Sequence, residues 1–464
     1  LKVDVSNYTW MYMFRILLVN LFTILCMIFP AVTYGATFGM DFLVNGFGTV
    51  CASKSDLPKQ AYVNIPYYPF ATTLGVVSPY IAPAEYTPAY VGAGRRWDFL
   101  PNSKFGLQFT ALFNDKFKAV TQLVGGSESM TNNNFYVQMD WAYLQYNPVD
   151  ALDLQFGRVR LPLFYYSDYL KVNHAQPWVT PPEEVYFISA GAFQNLDGIR
   201  ASYSFYWQDW TANTKFWYGS MQEQLSILNR DIIVSVRDGI GAGLQVGNDR
   251  FSIQGSLMRS IYNTTLNDPL SGLVTATQRI TGTFASAQQL QSMLQDTNVP
   301  IVYVGLALSA NILENLDLLV ERASIFSRGI ISTARLGWYG SLTYSFLEKY
   351  AMTFTYGYSR PLQTETNKYD AVKAFFTSPQ YLNFIDKNSG AGAAVINLFQ
   401  TYLGEQRSYA IDLRYDILPS VSLKGEVKYI TPIDQAAYAL KYLFARVQTQ
   451  KHIWVYRVSF DFVF

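Results

Sequence analysis

The sequence has few of the residues on which many function classes depend. It contains two cysteines and two histidines in 464 residues, and Lys and Arg exceed Asp and Glu by only one (35 against 34). Cys26 lies in an N-terminal apolar segment, which leaves Cys51 alone and excludes a disulfide framework or a cysteine metal cluster. The near-zero net charge provides no basic field for nucleic acid. No nucleic-acid partner is therefore predicted.

Long apolar runs are also missing after residue 36. No run there approaches the roughly 18 residues that a membrane-spanning helix needs, although half of all residues are hydrophobic and 16% are aromatic. The hydrolase, metalloprotease and phosphate-binding motifs G-x-S-x-G, H-E-x-x-H and G-x-x-x-x-G-K do not occur either. We therefore predict no enzyme, no metal and no cofactor. An apolar, aromatic chain without helical spans is what a transmembrane β-barrel requires.

The first 36 residues predict a secretory signal. An apolar run extends from Ile16 to Ala31, with Arg15 before it and the small residue Gly35 after it as a cleavage position. A transmembrane anchor is the less favoured alternative, because the run is short for a span and no charged stop-transfer cluster follows. Met11 or Met13 is a candidate initiator, in which case the residues before Met13 are not translated. The predicted domains are thus a signal peptide, 1–36, and a barrel, 37–464.

The last eleven residues alternate with a period of two, which predicts a β-strand. One face is apolar and mostly aromatic and the other carries two charges: Trp454, Tyr456, Val458, Phe460, Phe462 and Phe464 oppose Val455, Arg457, Ser459, Asp461 and Val463. A sandwich strand is the soluble alternative, but a strand of this length that is apolar on one side suits the wall of a lipid-embedded barrel. The chain end resembles the terminal strand of Gram-negative outer-membrane β-barrels. That resemblance implies that Phe460, Phe462 and Phe464 are an assembly signal for the barrel assembly machinery.

The same period predicts sixteen strands in all. They are 40–51, 104–113, 116–125, 134–146, 151–159, 197–207, 210–220, 232–247, 250–262, 301–312, 316–326, 334–346, 350–360, 406–416, 421–430 and 453–464. Seven connections are short and rich in Asn, Asp and Pro, as turns are. Eight longer ones alternate with them: 52–103, 126–133, 160–196, 221–231, 263–300, 327–333, 361–405 and 431–452. We predict an all-β fold, a closed antiparallel 16-stranded transmembrane β-barrel with short periplasmic turns and long external loops.

The third long connection, 160–196, carries a second resemblance. The stretch Phe156 to Pro162 reads F-G-R-V-R-L-P and resembles the G-R-x-[KR]-x-P that follows the fifth strand in several porins, including relatives of phosphate-selective ones. The chain is therefore similar to the Gram-negative outer-membrane porin superfamily. This resemblance implies that the third loop folds into the barrel and narrows it, and that the protein is a homotrimer.

Charged residues near this loop are the candidate pore constriction. They are Arg158, Arg160, Asp168, Lys171, Glu183, Glu184 and Arg200. The alternative is that they tie the loop to the wall by ion pairs. Arg158 and Arg160 share the parity of Phe156, so a bulge at Gly157 is needed to turn them inward. A further set is predicted as the solvated lumen wall: Asp412, Arg414, Lys424, Glu426, Lys428, Arg457 and Asp461.

These features predict an outer-membrane porin that lets small hydrophilic solutes and ions diffuse through a water-filled lumen. A sugar- or anion-specific channel is the first alternative, with Tyr165, Tyr166 and Trp178 as a stacking track for sugars. An enzyme is disfavoured because His174 has no obvious serine partner. An adhesive barrel would use the loops 263–300 and 361–405. The expected partners are the lipid bilayer, lipopolysaccharide, the assembly machinery and the transported solutes.

Overall fold

The structure is a computed structural model. It describes residues 41–56, 96–100, 102–126, 135–186, 188, 194–227, 230–265, 298–327, 334–379, 404–432 and 452–464. The predicted signal peptide, 1–36, lies outside the described residues, as do most of the long connections 52–103, 263–300 and 431–452. In the part of the chain that is described, no helix is both long and apolar enough to cross a membrane.

Sixteen antiparallel strands form one closed barrel, as predicted. They are β1 (Asp41–Ser55), β2 (Lys104–Asn114), β3 (Phe117–Gly126), β4 (Tyr136–Val149), β5 (Leu152–Arg160), β6 (Asn195–Trp207), β7 (Trp210–Ile227), β8 (Arg230–Gly247), β9 (Phe251–Thr265), β10 (Val299–Leu313), β11 (Leu316–Ser327), β12 (Arg335–Phe346), β13 (Tyr350–Pro361), β14 (Gln406–Leu418), β15 (Val421–Pro432) and β16 (Ile453–Val463). Each strand pairs with its sequence neighbours, and β1 pairs with β16 to close the ring.

Alternation along the strands separates an apolar outer face from an inner face, which is mostly polar in β14 to β16 and largely apolar in β7 to β12. In β16 the outward Trp454, Tyr456 and Phe460 are about 40% exposed, whereas the inward Arg457 and Asp461 are buried. The rings of Phe462 and Phe464 also lie outside, over Gly48 and Gly46 of β1. An apolar outer surface with aromatic residues towards its edges suits a lipid bilayer.

The short turns lie at one end of the barrel and show why Asn recurs there. Oδ1 of Asn114 accepts hydrogen bonds from the backbone N–H groups of Lys116 and Phe117, both at 2.9 Å. Asn248 caps its own turn in the same way. These side chains satisfy backbone donors that the tight reversal leaves without ladder partners.

One predicted long connection is wrong. Residues 221–231 do not form a loop, because β7 and β8 each extend to 18 residues and leave only 228–229 between them. Backbone pairing continues from Met221 opposite Val236 to Ile227 opposite Arg230, past a register shift after Gly219. The bulge rotates the hairpin so that Val234 and Val236 are buried. The bulge exchanges the inward and outward positions of the residues beyond it. The alternation is therefore interrupted, and the sequence pattern of the longer strand is not recognised.

The β5–β6 connection, residues 161–194, enters the barrel and is called the inner loop here. Its described part contains two 3₁₀ turns, Ser167–Tyr169 and Asn173–Ala175, and a short helix, α1 (Glu183–Tyr186). A second helix, α2 (Gln363–Phe376), follows β13. Apolar side chains of the inner loop form one buried cluster with the inward faces of β7 to β12: Leu161, Leu163, Phe164, Leu170, Trp178, Val185, Tyr186 and Ile188 pack against residues that include Trp217, Met258, Tyr303 and Tyr339.

Glycines on the inner wall make room for this loop. A Cβ at Gly305 would lie 2.7 Å from the carbonyl oxygen of Leu163, and a Cβ at Gly357 would lie 2.6 Å from the carboxylate of Glu184. The backbone of Glu184 also lies directly against Gly337. Side chains at these positions would push the inner loop off the wall, so glycine here allows the backbone of the loop to lie directly against the strands.

Candidate functional site

A buried lysine fastens the inner loop to β15. Nζ of Lys424 donates to the carbonyl oxygens of Asn173 (2.5 Å), Gln176 (2.8 Å) and Trp178 (3.2 Å), and lies 3.2 Å from the carboxylate of Asp461. The side chains of Lys424 and Asp461 are fully buried. A buried charge is tolerated only when it is paired and hydrogen-bonded. Lys424 meets both conditions through the loop backbone.

A second buried cluster joins the loop helix α1 to β15 and β16. Glu183 lies 3.5 Å from Arg457 and 3.7 Å from Lys428, and Arg457 also pairs with Glu426. All four side chains are at most 5% exposed. Two acids and two bases thus neutralise one another beneath the loop.

The wall of β14 completes the attachment. Oδ1 of Asp412 accepts a hydrogen bond from the Val179 backbone N–H at 2.9 Å. Nη1 of Arg414 donates to the carbonyl oxygen of His174 at 2.7 Å. Glu184 accepts from the Gln406 amide and the Ser408 hydroxyl at 2.8 and 2.7 Å.

These contacts correct two sequence predictions. The predicted lumen-wall residues do face inward, but the inner loop covers them, so six of the seven are buried and Arg414 is half-buried: Asp412, Arg414, Lys424, Glu426, Lys428, Arg457 and Asp461. Glu183, Glu184 and Lys171 of the predicted constriction are likewise at most 4% exposed. Glu183 and Glu184 instead agree with the alternative prediction, in which charged residues of the loop tie it to the wall.

The opposite edge of the loop carries the accessible charges. Asp168 lies 3.2 Å from both Nη1 of Arg200 on β6 and Nζ of Lys215 on β7. Its side chain is 36% exposed, and those of Arg200 and Lys215 are 12% and 22% exposed. Burial alone would raise the pKa of the Asp168 carboxyl, but Lys215 and Arg200 outweigh it and hold that pKa below its ordinary value. Asp168 is therefore charged at neutral pH and faces two cations.

Further polar groups extend this edge along the wall. Arg200 and Lys118 both act electrostatically on Asp153 of β5, and Arg200 acts on Tyr143 of β4. Each of these four side chains is partly accessible and inward by strand parity. We define Lys118, Asp153, Asp168, Arg200 and Lys215 as the charged edge.

Arg158 does not belong to the pore interior. Its side chain forms a bidentate ion pair with Asp197 (2.7 and 2.9 Å), and this pair lies on the outer face with Phe156 and Ile199. The β5–β6 register runs without a shift through Gly157, despite the φ of 129° there, so strict alternation holds. The predicted bulge at Gly157 is therefore wrong.

Arg160 is buried and lies beside a bulge in the neighbouring strand β4. The register shift falls in β3–β4 pairing, where Asp140 is the extra residue of β4. Arg160 pairs with this buried Asp140 and lies over the Trp141 ring at 5.2 Å. Its carbonyl oxygen accepts a hydrogen bond from Arg200 at 3.1 Å. The backbone of Arg160 therefore helps to hold the Arg200 side chain in place, and the side chain of Arg160 is not accessible from the lumen.

Of the three residues predicted to stack on sugars, Trp178 and Tyr166 pack within the folded loop and Tyr165 is half-buried. Trp178 is 1% exposed, and its indole N–H donates to Ser341 and Thr355, both at 3.0 Å. Tyr166 packs edge-on against Trp178, and burial raises the pKa of Tyr166 to about 12. Tyr165 is half-buried beside it. Among the described aromatic residues of the loop, Tyr169 is the most accessible, at 58% exposed, and sequence reasoning missed it.

His174 has a serine neighbour, contrary to the sequence prediction. Its Nδ1 lies 3.1 Å from Oγ of Ser422, and its Nε2 lies 3.1 Å from the carbonyl oxygen of Pro419. Ser422 is fully buried, so no substrate carbonyl can approach its hydroxyl. A nucleophile must reach the reacting atom, and this one cannot. The pair is therefore a packing contact.

Sequence reasoning also missed Lys215, Lys118 and Asp153. Each has inward parity on its strand, and Lys215 is directly opposite Ser202, two residues from Arg200. Period-two parity could have identified them as lumen residues, but only the path of the loop shows that they stay accessible. Among the described residues, no group of three or more His, Cys, Asp or Glu side chains could hold a metal ion.

No protein-family model and no curated protein sequence matches the chain. Among solved structures, the anion-selective porin from Comamonas acidovorans is 11% identical with a TM-score of 0.50, over 92% of this chain and 100% of that one. OmpF of Salmonella typhi, in complex with daunomycin, is 12% identical with a TM-score of 0.47, over 92% and 98%. OmpT of Vibrio cholerae, an outer-membrane protein, is 8% identical with a TM-score of 0.45, over 92% and 99%.

The likeness to the Comamonas structure concerns the fold. It agrees with the closed barrel of sixteen antiparallel strands. The chain is a closed barrel of sixteen antiparallel strands with the porin-type fold.

Proposed function

We propose that the protein is an outer-membrane channel through which small hydrophilic solutes and ions diffuse passively. The observation that carries this proposal is the position of the inner loop. It is packed against β7 to β16 by buried contacts, and at its other edge the partly exposed Asp168 forms ion pairs with Arg200 and Lys215. Sixteen strands enclose more space than side chains alone fill, so we infer that water and solutes pass beside this edge, along the wall of β2 to β6.

The charged edge sets the selectivity of this passage. Three cations and two anions lie along it, and Asp168 and Arg200 form an ion pair at 3.2 Å. The field of these charges orients dipolar solutes beside the edge, and the excess of one positive charge favours anions slightly. The Comamonas porin is anion-selective by name, but it shares only the fold. The preference proposed here therefore rests on these five side chains.

Planar-bilayer recording tests the proposal. The folded protein should give ohmic single channels, with reversal potentials in a salt gradient that show a modest anion preference. A heat-unfolded sample of the same preparation is the control. Failure of the folded barrel to conduct would contradict a channel function.

Sugar-specific transport is a second candidate, favoured by one observation. Tyr169 exposes 58% of its surface on the loop edge, one residue after Asp168, and the half-buried Tyr165 lies four residues before it in the chain. Exposed aromatic faces stack on sugar rings. A sugar-specific channel would show current block by oligosaccharides that Tyr169→Ala abolishes. A general channel would show no such block.

We do not propose an enzyme, because the one described Ser–His contact is inaccessible. Assembly as a homotrimer, insertion by the barrel assembly machinery and contact with lipopolysaccharide follow from the resemblance to porins and are part of the proposal. An adhesive role would depend on loops 263–300 and 361–405, which lie mostly outside the described residues.

A further inference from the structure

The part of the inner loop that leads to the charged edge is held by side chains from successive wall strands. The carbonyl oxygen of Leu163 accepts hydrogen bonds from the hydroxyls of Ser256 on β9 (2.8 Å) and Tyr303 on β10 (3.2 Å). The next carbonyl oxygen, of Phe164, accepts one from the Gln254 amide on β9 at 3.2 Å. Two consecutive carbonyl groups of the loop are thus fixed to the wall.

Glu321 of β11 holds the other side of the peptide group between Phe164 and Tyr165. Its Oε1 accepts a hydrogen bond from the Tyr165 backbone N–H at 2.9 Å, and its Oε2 accepts one from the Tyr339 hydroxyl at 2.8 Å. The Tyr186 hydroxyl is hydrogen-bonded to the same side chain. Glu321 is 2% exposed, and in the described part of the chain the interactions that act on it include no lysine or arginine. Its burial therefore depends on these hydrogen bonds.

The held peptide group leads directly into the turn that carries Asp168. The Phe164 backbone N–H donates to Oγ of Ser167 at 2.8 Å, and Ser167 begins the 3₁₀ turn that contains Asp168. The Asp168 carboxylate lies 3.2 Å from each of its two cations. Such contacts weaken quickly as donor and acceptor separate, so a displacement of the held peptide group loosens both ion pairs.

A second wall carboxylate makes the same type of contact away from the charged edge. Asp412 of β14 is also buried, and its Oδ1 accepts a hydrogen bond from the Val179 backbone N–H at 2.9 Å. Val179 lies on the returning part of the loop, after the turn of Asp168. Loss of either wall carboxylate removes the acceptor of a loop N–H, but only Glu321 holds the peptide group that leads into the charged edge.

We propose that Glu321 is a positioning residue for ion selectivity, because it holds the turn that places Asp168 against Arg200 and Lys215. Glu321 does not touch the passing ions, since it is buried beneath the loop. The inference rests on the charged edge of the proposed function. It adds that the ion preference depends on a side chain of β11, a strand that contributes no residue to the charged edge itself.

Reversal potentials of the folded full chain, measured in planar bilayers with a salt gradient, test this role. Glu321→Ala leaves the Tyr165 N–H without its acceptor, so Asp168 neutralises its two cations less completely. The potential should therefore shift towards anion selectivity, with the sign of the Asp168→Asn shift and a smaller size. Glu321→Gln lacks the charge but keeps an acceptor oxygen, and should retain the wild-type value. Asp412→Ala is the matched control and should also retain it.

A double variant shows whether the effect passes through Asp168. If Glu321 acts on the ions only by placing Asp168, then Glu321→Ala adds no further shift to an Asp168→Asn channel, because coupled residues are not additive. Additive shifts would show that the two carboxylates act independently, and would contradict the proposal.

Other results would overturn this inference and leave the proposed function standing. One is an unchanged potential for Glu321→Ala while Asp168→Asn shifts it. Another is an equal shift for Glu321→Ala and Glu321→Gln, which would assign the effect to the lost charge. No shift for Asp168→Asn would instead contradict the charged edge, and both proposals with it.

A shorter acid keeps the test decisive if Glu321→Ala does not fold. Glu321→Asp retains the charge but withdraws the carboxylate from the Tyr165 N–H by one methylene group. Its potential should shift with the same sign as that of Asp168→Asn, and any such shift reports position and not charge. A wild-type potential for Glu321→Asp would then overturn the inference.

Discussion

His174, on the loop that leaves β5 at the long-loop end of the barrel, is hydrogen-bonded to the carbonyl oxygen of Pro419 in the turn at the opposite end (3.1 Å). The inner loop therefore descends the full length of the lumen before it returns. On the way back it meets Asp412 in the middle of β14 through Val179, and Ser408 near the top through Glu184. This path places the inner loop along the inward face of β14 from one end of the barrel to the other.

The His174 contact should depend on pH. Burial and then the charge of Arg414 lower the pKa of His174, as does Lys424, whereas the Pro419 carbonyl and Asp416 act in the opposite direction. A lowered pKa means that a detached loop takes up the proton more readily than the attached one. Attachment is complete above the ordinary value of about 6.5 and weakens as pH falls below it.

Single-channel recording between pH 7.5 and 5 checks this expectation. Wild-type channels should show more conductance fluctuation at low pH, and His174→Gln channels should show the same fluctuation at both values. Identical pH profiles for the two proteins would show that His174 does not control attachment.

Lys424 should hold the loop far more strongly than an open-wall lysine would. Lys424→Met leaves Asp461 buried without its cation and removes a donor from three loop carbonyls. Loss of one partner of a buried ion pair costs about 3–5 kcal/mol. We expect faster proteolysis within the loop and larger single-channel conductance. Lys118→Met, on the opposite wall, should leave proteolysis unchanged; equal cleavage of the two variants would contradict the anchoring role.

The sequence predicted the wall of the barrel well, because period-two alternation is a local property. All sixteen strands, the inward parity of Lys424 and Arg457, and the turn role of Asn114 depend on residues within one hairpin. The β7–β8 extension was missed because its bulge breaks the period.

The accessible part of the candidate site could not be predicted in the same way. Lys424 and Lys215 have the same inward parity, yet Lys424 is buried under the loop and Lys215 is not. The difference depends on which side of the lumen the loop takes. That choice depends on buried contacts between residues more than 200 positions apart, such as Glu184 with Ser408. A local sequence pattern contains no information about such long-range contacts.

Cysteine labelling tests which end of the barrel faces out. Asn367 is exposed on α2, beyond the long-loop end of β13, whereas Asp115 and Asp249 are exposed in short turns. A membrane-impermeant thiol reagent on intact cells should label Asn367→Cys and leave Asp115→Cys and Asp249→Cys unlabelled. Native Cys51 is buried and should not react. Labelling of Asp249→Cys from outside would reverse the assigned sides.

Phe464 closes the barrel and should matter for assembly. Its backbone N–H and carbonyl exchange hydrogen bonds with Gly46, both at 2.9 Å, and its ring covers the position that a Gly46 side chain would take. Phe464→Ala should reduce the yield of heat-modifiable, membrane-inserted barrel several-fold. Val458→Ala, at an outward position on the same strand, is the matched control. Normal yield from Phe464→Ala would exclude this residue as an assembly signal.

The ion preference of the channel should depend on the charges of the charged edge and not on charges of the outer surface. Arg200→Glu or Lys215→Glu reverses a charge within 3.2 Å of Asp168 and should move the reversal potential in a salt gradient towards cation selectivity. The shift should be clear at moderate salt, because charges at a narrow opening act within a screening length of about 8–10 Å. Asp168→Asn should move it the opposite way, since it removes the acid that faces both cations.

Arg158→Gln is the matched control for these variants. It removes an arginine from the same part of the chain, but Arg158 lies on the outer face with Asp197 and not in the lumen. The reversal potential of Arg158→Gln should therefore equal that of the wild type. A shift as large as that of Arg200→Glu would mean that Arg158 faces the passage, and a null result for Arg200→Glu and Lys215→Glu together would mean that ions cross the barrel elsewhere. Either outcome would replace the charged edge as the selectivity site.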